Sequence, residues 1–286
     1  MPFEKPKAKI QSIVNALSGV YDEREATNMA NLLLSHFYGL DRMAIILNDE
    51  FSLAENSEQR LAKAIDELNQ HKPIQHIIGS VEFYGCELKV DERALIPRPE
   101  TEELVDWIVT ENTVKAPSIV DIGTGTGCIP IALKKAIPNA QVAAVDISEE
   151  ALTLAQANAK QNGVEVDFRH LDILENNFPF DLLDIVVSNP PYIPESDKAE
   201  MSSNVLSFEP HLALFVENHD PLIFYRRIAE LAFLHLKIGG MLYFEIHERF
   251  GEEMIKLVEE IGFTKVLLKK DLQGKDRMLQ AQKYSK

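Results

Sequence analysis

Asn189-Pro190-Pro191-Tyr192 joins an amide side chain, two residues without an N–H and an aromatic ring at the abrupt end of an apolar run, Asp184-Ile185-Val186-Val187-Ser188. Proline fixes φ and donates nothing, so the corner is stiff and the Pro190 carbonyl is left to accept a bond from outside. Asn-Pro commonly starts a turn, but turn formation alone does not explain the whole combination. The Asn189 side-chain oxygen and the Pro190 backbone oxygen are two acceptors suited to a planar –NH2 group, and Tyr192 offers a face for that group to lie on. An amide nitrogen is a poor nucleophile because its lone pair is delocalised into the carbonyl. Acceptors on both of its N–H groups would orient it and pyramidalise it against an electrophilic methyl carbon. Positioning and stabilisation of the developing positive charge then supply the rate, and no general base is needed beforehand. Asn189, Pro190 and Tyr192 are therefore the expected catalytic residues, and Asn189, Pro190, Pro191 and Tyr192 the substrate contacts. His76, His170, His211 and His247 read as structural or exposed.

A second cluster lies upstream. Asp121-Ile122-Gly123-Thr124-Gly125-Thr126-Gly127 follows a strand pattern and opens a helix pattern, which sets backbone N–H groups and glycine-sized space at the carboxyl edge of a sheet. The glycines alternate rather than following G-x-G-x-x-G, so there is less room to wrap a pyrophosphate, and an uncharged nucleoside is the better fit. Glycine also serves tight turns and close packing. The next strand ends at Asp146, placed for ribose hydroxyls or, alternatively, for capping the following helix. The third ends at Asp172-Ile173, where an acid can accept an adenine amine. Together the three strand ends describe an adenosine site.

Those residues need a scaffold. From Ser118 onward strand and helix patterns alternate through Ile261, which specifies a mostly parallel sheet covered by helices on both faces. The ending differs: Phe263 to Lys270 and Met278 to Lys283 are separated by a short loop containing Gly274, enough for antiparallel neighbours but not for a crossover. Residues 5–72 have helical periodicity, with Asp22 and Glu25 as a capping box and Asp41 as a further cap. A fourth helix is expected to begin at Asn56 or Ser57 and to stop before Pro73. Between Pro73 and Pro99 the period changes to two, with Val81, Phe83, then Cys86, Leu88 and Val90, and a turn at Asp91-Glu92-Arg93, which fits a hairpin linker. The domains are thus a helical bundle at 1–73, a β-hairpin linker at 74–98 and an α/β domain at 99–286.

The bulk properties set limits. At 286 residues two unequal domains are expected. A net charge of −16 argues against direct nucleic-acid binding, because a phosphate backbone would be repelled without a local basic face. No stretch approaches a spanning helix, and the N-terminus lacks the apolar region of a secretory signal. Cys86 and Cys128 give neither a disulfide framework nor metal-ligand spacing, so no metal is expected and a reducing cytoplasm is the simplest home.

With these residues in order, the chain resembles the seven-stranded, Rossmann-like class I S-adenosylmethionine-dependent methyltransferases, in their amino-group-methylating branch. More specifically, Pro73-Ile74-Gln75-His76-Ile77-Ile78-Gly79, Phe83-Tyr84-Gly85, Leu95-Ile96-Pro97-Arg98-Pro99-Glu100-Thr101-Glu102 and Glu209-Pro210-His211-Leu212-Ala213-Leu214 resemble the bacterial peptide chain release factor glutamine methyltransferases, the HemK/PrmC family. His76 stands where tyrosine is commoner, and His211 where arginine is frequent. The resemblance implies methylation of the glutamine side-chain amide in the Gly-Gly-Gln motif of class 1 release factors. It implies that Gly123, Thr124, Gly125, Thr126, Gly127, Asp146, Asp172, Ile173 and Asn189 hold S-adenosylmethionine, that 98–101 shapes the cofactor pocket, and that the helical domain grips the release factor. A cytoplasmic monomer is expected.

Two other functions compete. An N6-adenine-type nucleic-acid methyltransferase would share the loop chemistry but should carry a basic surface, whereas the N-terminal segment mixes its Lys and Arg with at least comparable acid. A nucleotide-binding module without catalysis would bind S-adenosylmethionine and transfer nothing.

Overall fold

The computed structural model describes residues 3–175, 178–200 and 203–284. Met1 and Lys286, the ends of the two expected domains, lie outside the described residues. The chain divides into two compact units, Met1–Gly79 with Ser202–Phe208 and Ser80–Met201 with Glu209–Lys286.

In the first unit, β1 (Phe3–Glu4) precedes α1 (Pro6–Leu17), α2 (Glu23–Tyr38) and α3 (Arg42–Leu47), and β2 (Phe51–Ser52) precedes α4 (Glu55–Asn69) and α5 (Ile74–Ile78). Both expected caps form, with the Asp22 carboxylate accepting from Glu25 N and that of Asp41 from Ala44 N. Helix α4 starts at Glu55 after Ala54, slightly before the expected Asn56 or Ser57, and has no side-chain cap. The bundle closes over Leu17, Leu33, Leu34 and Leu68, all fully buried. At its margin Glu58 takes the Lys9 ammonium at 2.6 Å and the Tyr38 hydroxyl.

The second unit opens with the hairpin β3 (Ser80–Phe83) and β4 (Cys86–Lys89), which turns at Tyr84-Gly85, both at positive φ. The expected turn at Asp91-Glu92-Arg93 follows β4, with Ala94 N donating to the Asp91 carbonyl at 3.5 Å, but the extended linker does not reach back to residue 74, where α5 stands. There follow α6 (Pro99–Glu111), β5 (Ser118–Ile122), α7 (Cys128–Ala136), β6 (Gln141–Asp146), α8 (Glu149–Gln161), β7 (Asp167–His170), β8 (Leu183–Ser188) and the short β9 (Ile193–Pro194). Next, α9 (Ser203–Phe208) is the piece assigned to the first unit. The chain ends with β10 (Phe215–Val216), α10 (Ile223–His235), β11 (Leu236–Glu245), α11 (Gly251–Ile261), β12 (Thr264–Lys270) and β13 (Asp276–Gln282).

Seven strands form one sheet in the order β12-β13-β11-β8-β5-β6-β7. Strands β5 to β8 and β11 run parallel, while β13 lies antiparallel to both β11 and β12, as the short Gly274 loop requires. The central β8 buries Val186 and Val187 completely, each worth roughly 1.5–3 kcal/mol. The apolar cores on the two faces of the sheet centre on Leu104, Ile108 and Ile131, and on Tyr225, Leu242 and Phe244. After β5 the chain winds outward through β6 and β7, then returns to place β8 on the other side of β5. This reversal opens a crevice at the carboxyl ends of β5 and β8, the usual ligand position in an open α/β sheet. No helix among the described residues is long and apolar enough to cross a membrane.

Candidate active site

The crevice is a cavity of about 280 Å³, and its walls come from the ends of four adjacent strands. Residues 122–126 span the end of β5 and the loop after it, 145–148 the end of β6 and the loop after it, while 171–174 follow β7 and 189–191 follow β8. A further wall is built by 93–98 and by Pro210, Leu212 and Ala213. Buried Glu209 ties these last two segments together, accepting from Arg98 Nη2 at 2.6 Å and from Ile96 N at 3.2 Å. The family resemblance implies a place at the cofactor pocket for 98–101, whereas it gives none for Pro210, Leu212 and Ala213.

The glycine loop is pinned by its neighbours. Gly123 N and Thr124 N donate to the Val145 carbonyl, and Gly125 N donates to Asp146 Oδ2 at 2.8 Å. The other Asp146 oxygen accepts from Ser148 N at 2.9 Å, while the cap of α8 is the Ser148 hydroxyl, so Asp146 is not the side-chain cap. Burial pushes the Asp146 carboxyl above the usual range, opposed by its backbone donors from Ser148, Gly125 and Ile147. Asp172 Oδ1 accepts from Leu174 N, and Ile173 lies beside it on the cavity wall. Gly123, Gly125 and Gly127 all have positive φ, but their surroundings differ. A Cβ on Gly123 would meet nothing within 4 Å, whereas one on Gly127 would stand 3.0 Å from the Ala155 Cβ. Gly127 thus faces α8 and serves packing, while Gly123, Thr124, Gly125 and Thr126 line the cavity.

Ser188 is hydrogen-bonded through Oγ to the Ile122 carbonyl at 2.6 Å, which locks the end of β8 to that of β5. Asn189, Pro190 and Pro191 follow on the cavity wall. Beyond the prolines, the corner is held by Ile193 N donating to the Leu214 carbonyl and by β9–β10 pairing. Among the described residues no hydrogen bond ends on Asn189 Oδ1 or on the Pro190 carbonyl oxygen. The Asn189 nitrogen faces Thr101 Oγ1 at 3.5 Å, and the Asn189 amide also favours the charged form of Glu245. Tyr192 is partly exposed and packs edge-on against His247 at 5.7 Å, and burial of its hydroxyl pushes its pKa up.

Two buried acids were not among the expected site residues. Asp121, at the carboxyl end of β5, is fully buried, and neither carboxylate oxygen has a hydrogen-bond partner among the described residues. Burial raises its pKa to about 7, the Asp146 charge adds to the rise, and the nearby Thr124 hydroxyl opposes it without reaching hydrogen-bond geometry. Glu245, at the end of β11, is also raised to about 7, chiefly by burial. A raised carboxyl pKa favours the protonated fold, so the stability linked to Asp121 is present at low pH and is lost as pH rises from about 4 to about 7. Asp121→Asn removes that dependence. The stability of the variant relative to the parent is expected to rise by roughly 2 to 4 kcal/mol between pH 4 and pH 8, as read by urea unfolding. A pH-independent difference would show that Asp121 stays ionised.

The reversed seventh strand, the switch-point crevice and the glycine loop together define a Rossmann-like methyltransferase. The model for the methyltransferase small domain matches residues 101–207, and that for the PrmC N-terminal domain matches residues 10–79. A methyltransferase from Pyrococcus furiosus has the same fold, with a TM-score of 0.53 at 16% identity over 81% of this chain and all of that one. Among sequence relatives, the release factor glutamine methyltransferase of Flavobacterium psychrophilum is 44% identical over 93% of this chain and 95% of its own length. That of Streptococcus pneumoniae is 41% identical over 97% of this chain and 94% of its own. The chain belongs to the release factor glutamine methyltransferase family.

Proposed function

We propose that this protein transfers a methyl group from S-adenosylmethionine to the side-chain amide nitrogen of the glutamine in the Gly-Gly-Gln motif of class 1 peptide chain release factors, in the cytoplasm. The observation that carries it is a pair of oxygens without a hydrogen-bond partner among the described residues, Asn189 Oδ1 and Pro190 O, on a rigid corner of the methyltransferase cavity, in a chain whose relatives are named release factor glutamine methyltransferases.

The cavity residues fit S-adenosylmethionine. Gly123 and Gly125 leave space without a Cβ, and Thr124 and Thr126 carry buried hydroxyls with no hydrogen-bond partner among the described residues. Asp146 and Asp172 keep unused lone pairs for hydroxyl or amine donors, and Ile122, Ile147 and Ile173 offer apolar walls to a purine. Asn189 stands where it can touch both ligands. When bound, S-adenosylmethionine supplies an electrophilic methyl carbon.

The protein's own part is positioning. Asn189 Oδ1 and Pro190 O accept the two amide hydrogens, loosen the conjugation of the nitrogen lone pair and disperse the positive charge that develops on nitrogen. Pro191 keeps the corner stiff, and Tyr192 offers its ring to the planar amide. The proton leaves during or after transfer. The helical unit is assigned to gripping the release factor.

With methyl-labelled S-adenosylmethionine and a class 1 release factor, label is expected in the factor and is abolished when its acceptor glutamine is changed to alanine. Equal labelling of that variant, or labelling of nucleic acid instead, would overturn the substrate assignment.

A further inference from the structure

We infer that Thr101 and Glu245 are positioning residues that fix the Asn189 carboxamide with its oxygen turned to the substrate; this rests on the function proposed above. The three residues come from α6, the end of β11 and the loop after β8, and they meet only in the fold. Thr101 Oγ1 donates to Glu245 Oε2 at 2.6 Å, and both side chains are buried. A hydroxyl has one hydrogen, so the Thr101 oxygen, having given its hydrogen to Glu245, can only accept from Asn189. An ionised Glu245 also only accepts. Asn189 must therefore turn its NH2 toward this pair, and its Oδ1 is left to face the other way. Without the pair, a half-buried carboxamide could present either end, and an NH2 facing a substrate NH2 would repel it.

The orientation then depends on the charge of Glu245. From α6, Glu100 raises its pKa while Thr101 lowers it; Asn189, from the loop after β8, and Arg277, from β13, also lower it. The charge of the same carboxylate helps to raise the Tyr192 pKa, and the Tyr225 hydroxyl from α10 donates to the Glu245 backbone carbonyl. Burial outweighs the favourable partners and brings the group to about 7. As pH falls through that value Glu245 gains a proton, becomes a donor, and no longer selects the Asn189 nitrogen.

Two readouts on the full-length protein test this. In the ligand-free protein, the Asn189 side-chain NH2 signal in 15N NMR, identified by its loss in Asn189→Asp, is expected to titrate with a midpoint near 7. It should lose that midpoint in Glu245→Gln and move in Thr101→Val. In methyl transfer, Thr101→Val is expected to lower kcat by about 10- to 100-fold with KM for the release factor changed less than about threefold, and Thr101→Ser to restore the rate. The acid limb of parental kcat should be absent in Glu245→Gln. A merely structural role for Thr101 would reduce the folded fraction without altering the pH profile or the NH2 titration. Thr101→Val with parental kcat and an unmoved signal would overturn the inference, even if Asn189→Ala is inactive and the proposed function stands. If the parent methylates nothing, the proposed function fails, and the NMR titration alone decides the orientation.

Discussion

Asn189→Ala is expected to lower the turnover of glutamine methylation by about 10² to 10³, the range seen when one oriented transition-state partner is removed. The size follows from what the oxygen does. In the ground state the substrate amide exchanges a hydrogen bond with water for one with Asn189, at little net gain. As the methyl transfers, the nitrogen acquires positive charge and the same bond strengthens. Removing it therefore costs kcat more than KM. Cofactor affinity should change less than about tenfold, because the walls formed at the ends of β5, β6 and β7 and by residues 93–98 remain in the variant. Pro190 O remains in the variant and still holds one of the two hydrogens, which limits the loss. Single-turnover transfer of labelled methyl, with cofactor binding measured separately, checks the split. A near-parental rate would remove Asn189 from the chemistry.

The sequence made that corner legible because its constraint is local: two prolines act on their own backbone wherever they stand. The caps at Asp22 and Asp41 were legible for the same reason, each closing onto an N–H three residues ahead. The alternation from Ser118 onward carried the sheet, because period-two and period-3.6 patterns encode which face is buried. What escaped was what depends on long-range contact. Thr101 and Glu245 are 144 residues apart, and nothing near either announces the other. The available signal was an acid closing the apolar run Met241-Leu242-Tyr243-Phe244-Glu245, the pattern already read at Asp146. Asp121 carries the same signal, closing the apolar run Ile119-Val120 where the glycine loop begins.

Two misplaced boundaries have physical causes as well. The sequence pattern places this strand over Met241 to Glu245, whereas β11 begins five residues earlier at Leu236, because its pairing with β8 is interrupted between those residues, where Gly239 adopts positive φ. A broken ladder leaves no alternation to detect. Helix α5 falls inside the stretch expected to be extended because its helical spacing, Ile74 with Ile77 and Ile78, lasts a single turn and is too short to stand out from the period-two pattern that follows. Only Gly79, in the left-handed conformation at its C-terminus, marks it.

The three loop glycines looked equivalent in sequence and are not, and the second large effect comes from this difference. Gly127→Ala is expected to destabilise the protein by roughly 2 to 5 kcal/mol, combining about 1–2 kcal/mol of left-handed strain with about 1–3 kcal/mol of overpacking. The added methyl would meet Ala155 Cβ at 3.0 Å and Ile131 Cδ1 at 3.1 Å, and Ala155 Cα at 3.3 Å gives it backbone to push against. Ala155 is itself fully buried on α8, so relief requires α7 and α8 to separate or the loop to shift. Gly123→Ala has the same positive φ but open space around its Cβ, so only the strain remains and the loss should stay near 1–2 kcal/mol. Urea unfolding of the ligand-free variants separates the two. Equal losses would mean that backbone strain alone sets the cost and that α7 and α8 yield freely at Gly127. A larger loss at Gly127 would confirm that this glycine is required by helix packing, whereas Gly123 bears on the cavity.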